Sequence, residues 1–180
     1  MNSAFTSEDS SPRIRDTPLR DPLALLASLG LALGVAALSG IAALGTVDGW
    51  YSAASTTLWT PPNAVFGPVW LILYTLMAVS AWLLWRSRHT QDRTLSLRLY
   101  AGQLAMNAGW TPLFFVGNDF FGPLALWFAL GWIVVLGFVV LALLISAWRV
   151  NKLASTLLVP YWAWLLFATA LNASLAVMNS

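Results

Sequence analysis

Cysteine is absent from this 180-residue chain, which excludes disulfides, thiolate metal sites and cysteine nucleophiles. Charge is scarce as well: Asp, Glu, Lys and Arg make up 9% of the residues, against about 25% in ordinary soluble domains. With 59% hydrophobic residues, so short a chain cannot hide its apolar surface in one water-facing core. A lipid bilayer is the economical solvent. The single histidine, His89, sits in a basic stretch without the companions a metal site needs. There is no glycine-rich phosphate loop and no paired carboxylate. No Asp, Glu, Lys or His lies deep in an apolar run, which removes proton relays, counter-ions and charged transport paths. What the chain has in excess is tryptophan. Eleven are more than the two interfacial belts of a membrane protein call for, so some are expected to line an interior.

The apolar runs give the fold class, an all-α integral membrane bundle of five transmembrane helices. Residues 1–21 are polar, Ser- and Pro-containing and mixed in charge, and read as a disordered cytoplasmic tail; residues 22–180 form the membrane domain. Asp21-Pro22 has the form of an N-cap followed by a first-turn proline. The spans are expected at about 23–46, 66–85, 96–116, 122–148 and 153–178. A cleaved signal peptide would have a shorter apolar core than the first run, about 7–15 residues. The connections are short except 47–65, a Trp- and Pro-containing loop long enough to fold over one mouth of the bundle.

Five crossings place the N-terminal tail and the connections near 86–95 and 149–152 on one side. All nine basic residues (Arg13, Arg15, Arg20, Arg86, Arg88, Arg93, Arg98, Arg149, Lys152) fall on or beside it, while the other side holds only Asp48 and Asp119. The positive-inside rule then puts the N-terminus in the cytoplasm and the C-terminus on the opposite side. The net charge of +2 reflects orientation and not a nucleic-acid footprint. A bacterial inner or outer membrane is the expected location.

Helical spacing gathers the aromatic and amide side chains. Phe66, Trp70 and Tyr74 share one face of the second span, Asn107, Trp110 and Phe114 one face of the third, and Trp164, Ala168 and Asn172 one face of the fifth. At a rise of about 1.5 Å per residue these faces run from mid-membrane towards the side of the 47–65 loop, which adds Trp50, Tyr51 and Trp59. An aromatic-walled cavity with two amides under a Trp-containing loop suits a flat, largely apolar ligand with a few polar edges. The same stripes could instead serve only to pack the helices.

Trp50-Tyr51, Trp59-Thr60-Pro61-Pro62, Phe66-Gly67-Pro68-Val69-Trp70 and Leu73-Tyr74 resemble the first-loop and second-helix signature of the TspO/MBR family, which includes the tryptophan-rich sensory proteins and the translocator protein or peripheral-type benzodiazepine receptor. Gly102-Gln103-Leu104-Ala105-Met106-Asn107, Trp110, Pro112 and Phe114-Phe115 resemble its third helix. Pro160-Tyr161, Trp164, Phe167-Ala168 and Leu171-Asn172 resemble its fifth. The resemblance implies a five-helix bundle, usually a homodimer, that binds porphyrin or haem as ligand and requires no cofactor; some members also bind cholesterol or synthetic ligands. It implies ligand contacts for Trp70, Asn107, Trp110, Trp164 and Ala168, to which helical spacing and the loop add Trp50, Trp59, Phe66, Tyr74, Phe114 and Asn172 as expected site residues. Trp70 and Trp164 match tryptophans implicated in porphyrin breakdown, and would carry the chemistry if the chain were an enzyme. Ala168 matches a small residue whose enlargement is linked to altered binding.

The chain departs from the family pattern at Thr56-Thr57, where Lys-Pro is common, and at Asn63-Ala64, where a Trp is common. Its C-terminus lacks the Tyr and basic residue of the family's cholesterol motif, although an inverse pattern runs from Arg98-Leu99-Tyr100 to Leu104. Small-residue ridges occur at Ala101, Ala105 and Gly109 on the third span and at Gly30 and Gly34 on the first. The third-span ridge is the expected homodimer contact. The leading functional expectation is a membrane sensor or scavenger of tetrapyrroles. Alternatives are a light- and oxygen-dependent porphyrin-degrading enzyme, a transporter of hydrophobic small molecules, or a structural membrane subunit.

Overall fold

A computed structural model describes residues 20–47, 50–87 and 93–179. The tail at 1–19, Asp48, Arg88 and His89 lie outside the described residues. The described chain is all-α: α1 (Arg20–Val47), α2 (Trp50–Ala53), α3 (Asn63–Arg86), α4 (Arg93–Phe115), α5 (Gly117–Phe121), α6 (Leu124–Val150) and α7 (Lys152–Asn179). The five long helices agree with the expected runs to within a few residues at each end. α1 begins at Arg20, so Asp21 lies in its first turn and is not the cap.

Two short helices occupy stretches expected to be plain connections. α2 opens the long loop. α5 precedes Gly122, whose φ of 56° is strained for a residue with a side chain; Pro123 follows and starts α6. The α6–α7 connection is a single residue, Asn151. Its extended backbone ends α6, and its Oδ1 accepts from Ala154 N at 3.1 Å to cap α7.

The long helices close a ring in which α1 packs on α3, α3 on α7, α7 on α6, α6 on α4, and α4 on α1. The core is densest in the half where α3 ends and α7 begins, around Met77, Leu84, Val140, Leu143 and Leu158. Serines let the backbones approach closely there: Ser80 Oγ donates to Ala154 O (2.8 Å), Ser155 Oγ to Leu144 O (2.8 Å), and Ser96 and Ser146 share a hydrogen bond of 2.7 Å. A second cluster, Phe114, Leu126, Ala129, Leu175 and Ala176, lies towards the other end.

Large apolar side chains cover the outside along the helices, among them Leu38, Ile72, Val135, Phe138, Ile145 and Val177, a surface suited to lipid. Among the described residues, four helices are long and apolar enough to cross a membrane: α1, α3, α6 and α7. α4 does not reach that criterion, because polar residues lower its hydropathy, and most of these are turned inward. Ser96, Tyr100, Gln103, Asn107, Thr111 and Phe114 recur at intervals of three and four along one stripe, and all are buried. The composition of α4 therefore reports what it packs against and not what surrounds the bundle.

Candidate functional site

A cavity of about 840 Å³ opens inside the ring, between the dense half of the core and the α2–α3 loop. α3 presents Phe66, Trp70 and Tyr74, α4 presents Asn107, Trp110 and Phe114, and α7 presents Trp164, Ala168 and Asn172. The three stripes expected from helical spacing thus meet around one space. Trp70 lies edge-on to Trp164 (centroids 6.4 Å, planes 85°), and Phe66 packs on the same Trp164 at 5.9 Å. Across the cavity Trp110 stacks on Phe114 at 4.8 Å.

The floor is a hydrogen-bonded triad. Tyr74 Oη donates to Asn107 Oδ1 (2.8 Å), and Asn107 Nδ2 donates to Tyr161 Oη (2.7 Å). One amide therefore ties α3, α4 and α7 together and fixes the tilt of both phenol rings. At the outer end Asn172 Nδ2 donates to Leu126 O (3.0 Å), which leaves its Oδ1 without a partner. The indole N–H groups of Trp110 and Trp164 are likewise buried and unpartnered among the described residues. Each such group costs about 1–3 kcal/mol if it stays unsatisfied, so the wall is not optimised for stability alone. No lining residue carries a charge.

Two expected site residues are not on the wall. Trp50 anchors the loop: its Nε1 donates to Phe115 O (2.8 Å), and its ring leans on Phe114 at 5.9 Å. Trp59 sits on the outer side of α7 against Phe167 (5.8 Å) and is 48% exposed. Both are turned away because the loop crosses the mouth with Tyr51, not a tryptophan, on its inner side. Tyr51 meets Phe114 and Phe115 edge-on, and burial pushes its phenol pKa above the usual 10.0.

The sequence reading missed one wall altogether. α1 contributes Leu33, Ala36, Ala37, Ser39, Gly40 and Ala43. All but Leu33 are small, and their absent bulk is what makes room. The hint lies in the Ala- and Gly-rich run itself, whose Gly30–Gly34 ridge points to helix packing and not to a cavity wall. Thr111, Leu171 and Leu175, with Asn63, Gly67, Leu71 and Phe115, complete the lining.

The expected dimer ridge is divided. Ala101 and Ala105 are exposed, whereas a Cβ at Gly109 would lie 3.1 Å from Trp132 Cζ2 of the same chain. Trp132 Nε1 donates to Met106 O (2.8 Å), which holds its ring over that glycine.

A profile of the TspO/MBR family matches residues 27–178. This chain belongs to the TspO/MBR family. It is 37% identical over 125 residues to the translocator protein of Sus scrofa, covering 68% of this chain and 70% of that one. It is 32% identical over 158 residues to the tryptophan-rich protein TspO of Archaeoglobus fulgidus, covering 88% and 98%. Protein CrtK of Rhodobacter capsulatus is 32% identical over 158 residues, covering 87% and 94%. With its apolar helices, membership makes this TspO/MBR chain a membrane protein.

Proposed function

We propose that this chain is a membrane-embedded sensor or scavenger that binds a tetrapyrrole, porphyrin or haem, in the cavity beneath the α2–α3 loop. The observation that carries the reading is the cavity itself: about 840 Å³, walled by Trp70, Trp110, Trp164, Phe66 and Phe114, and free of charge. Indole and phenyl faces stack on a flat conjugated ring, and the amides and indole N–H groups offer polar partners for its edges. The name tryptophan-rich sensory protein, carried by a relative from Cereibacter sphaeroides, agrees with a sensory role.

In the same reading α4 is the fifth crossing. It matches the other helices in length, closes the ring and keeps its polar stripe inside. The ends of the helices that carry Arg86, Arg93, Arg98, Arg149 and Lys152 face the cytoplasm, and so does the N-terminus. A homodimer would form through the exposed Ala101 and Ala105, with Gly109 behind Trp132.

The test is equilibrium titration of protoporphyrin IX in lipid nanodiscs, in darkness, read by quenching of tryptophan fluorescence. Saturable binding that weakens about tenfold or more in both Trp70→Ala and Trp164→Ala supports the site. Affinity unchanged in both variants rejects it.

A further inference from the structure

The end of the bundle opposite the cavity repeats one arrangement at two helix hairpins. α3 closes on Trp85-Arg86 and α6 on Trp148-Arg149. In each hairpin the first basic residue of the next helix lies over that last-turn indole. The Arg93 guanidinium carbon is 4.7 Å from the Trp85 ring centroid, and Lys152 Nζ is 5.6 Å from that of Trp148. Both indoles are exposed, Trp85 by 41% and Trp148 by 53%, and neither N–H has a partner among the described residues.

Trp82 shows what such a group looks like when the bundle uses it. Its Nε1 donates to Asp21 O (2.9 Å), and Arg86 both covers its ring (4.7 Å) and pairs with the Asp21 carboxylate (3.6 Å). That set joins α1 to α3. Arg93, Arg149 and Lys152 have no acidic partner among the described residues, whose only acidic side chains are Asp21 and Asp119. Asp119 is at the other end, on α5.

Each hairpin therefore presents a cation held on an aromatic face, an indole N–H without a partner among the described residues, and exposed apolar side chains within the same helix ends. Leu95 and Leu153 are exposed by 54% and 58%, and Ile145, one turn into the membrane from Trp148, by 55%. A soluble anion would use the charge and leave the apolar surface wet. A membrane phosphodiester uses all three: its oxygens take the cation and the N–H, and its acyl chain lies along the leucine and isoleucine. We propose that these two hairpins are binding stations for the headgroups of anionic phospholipids, one at Trp85–Arg93 and one at Trp148–Arg149–Lys152.

Native mass spectrometry of the full chain, released from detergent with phosphatidylglycerol or with phosphatidylcholine of matched acyl chains, tests this directly. The expected result is retention of two phosphatidylglycerol molecules per chain and weak retention of phosphatidylcholine. Arg93→Gln should abolish one high-affinity event. Arg149→Gln and Lys152→Gln should weaken the other by about fivefold for each cation removed, while Lys152→Arg retains it. Unchanged thermal midpoints would establish that the variants are folded, as expected for the exposed Arg149 and Lys152 and the half-buried Arg93 at the start of α4. Equal retention of the two lipids, or an unchanged phosphatidylglycerol count in the Gln variants, overturns the proposal. Displacement of the lipid by millimolar inorganic phosphate overturns it too, since the stations would then be sites for a free anion.

Discussion

Asn179, in the last turn of α7, pairs reciprocally with the backbone of Ser55 in the loop that crosses the cavity. Its Oδ1 accepts from Ser55 N at 2.8 Å and its Nδ2 donates to Ser55 O at 3.0 Å. The amide acts as a one-residue strand partner and ties the loop to the C-terminal end of the bundle. With Trp50 on Phe115 O and Trp59 on Phe167, it is one of three points that hold the loop over the mouth.

Removing that pair should free the loop without disturbing the cavity wall. Each exposed hydrogen bond contributes about 0.5–1.5 kcal/mol, so Asn179→Ala should accelerate both association and dissociation of protoporphyrin IX by up to about tenfold. Stopped-flow fluorescence would measure both rates. If the two rates rise together, Kd changes little and the pair acts as a latch; rates equal to those of the parent protein would show that the loop does not limit exchange.

Asn107 links the phenols of Tyr74 and Tyr161 through its amide. Asn107→Leu removes the amide partner of two buried hydroxyls and should cost about 2 kcal/mol, the lower part of the usual range because hydrogen bonds inside bilayers are modest. Unfolding in mixed micelles of denaturing and mild detergent would record the loss. Tyr161→Phe, which keeps the Tyr74 bond, should lose less. Equal losses in the two variants would argue that ring packing, and not the amide, holds the floor.

Gly109 is compact because Trp132 leans on it. Gly109→Ala places a Cβ 3.1 Å from Cζ2, which the ring can accommodate by shifting a few tenths of an ångström. Gly109→Leu must expel the ring and break its bond to Met106 O, at a cost of about 1–3 kcal/mol. Thermal melts of both variants, read by Trp132-sensitive near-ultraviolet circular dichroism, distinguish the two cases. A Gly109→Leu chain as stable as its parent would remove the packing role.

Ala168 lines the cavity beside Trp164 and rests on the edge of the main core. Ala168→Leu should therefore leave stability unchanged or raise it slightly, since it fills empty space, while lowering protoporphyrin affinity by about tenfold. A loss of both together would show that the larger side chain displaces the core it rests on instead of filling the cavity.

No lining group is a carboxylate, an amine or an imidazole, and burial holds Tyr51 above the ordinary phenol pKa of 10.0. A raised tyrosine pKa extends the neutral form upward, so no cavity group changes charge between about pH 6 and 9. Binding of an uncharged porphyrin ester should be flat over that interval when followed by fluorescence. A titration of the protein in that window would require an ionisable group beyond the described lining.

The helices themselves were legible in the sequence because a bilayer demands long uncharged runs, and their ends are marked by Arg86, Arg93, Arg149 and Lys152. Nine of the eleven expected site residues line the cavity, because a helix fixes which side chains share a face. The family was legible too, from motifs in the loop and in three helices. Where Trp50 and Trp59 point was not, since the loop has no period and its path is set by distant contacts with Phe115, Phe167 and Asn179. The α1 wall was also invisible, because Ala36, Ala37 and Gly40 act through the volume they do not fill. Composition and spacing thus determined which residues could meet. Only the tertiary packing decided how much space they enclose and what closes it, because enclosed volume depends on how helices far apart in sequence approach one another.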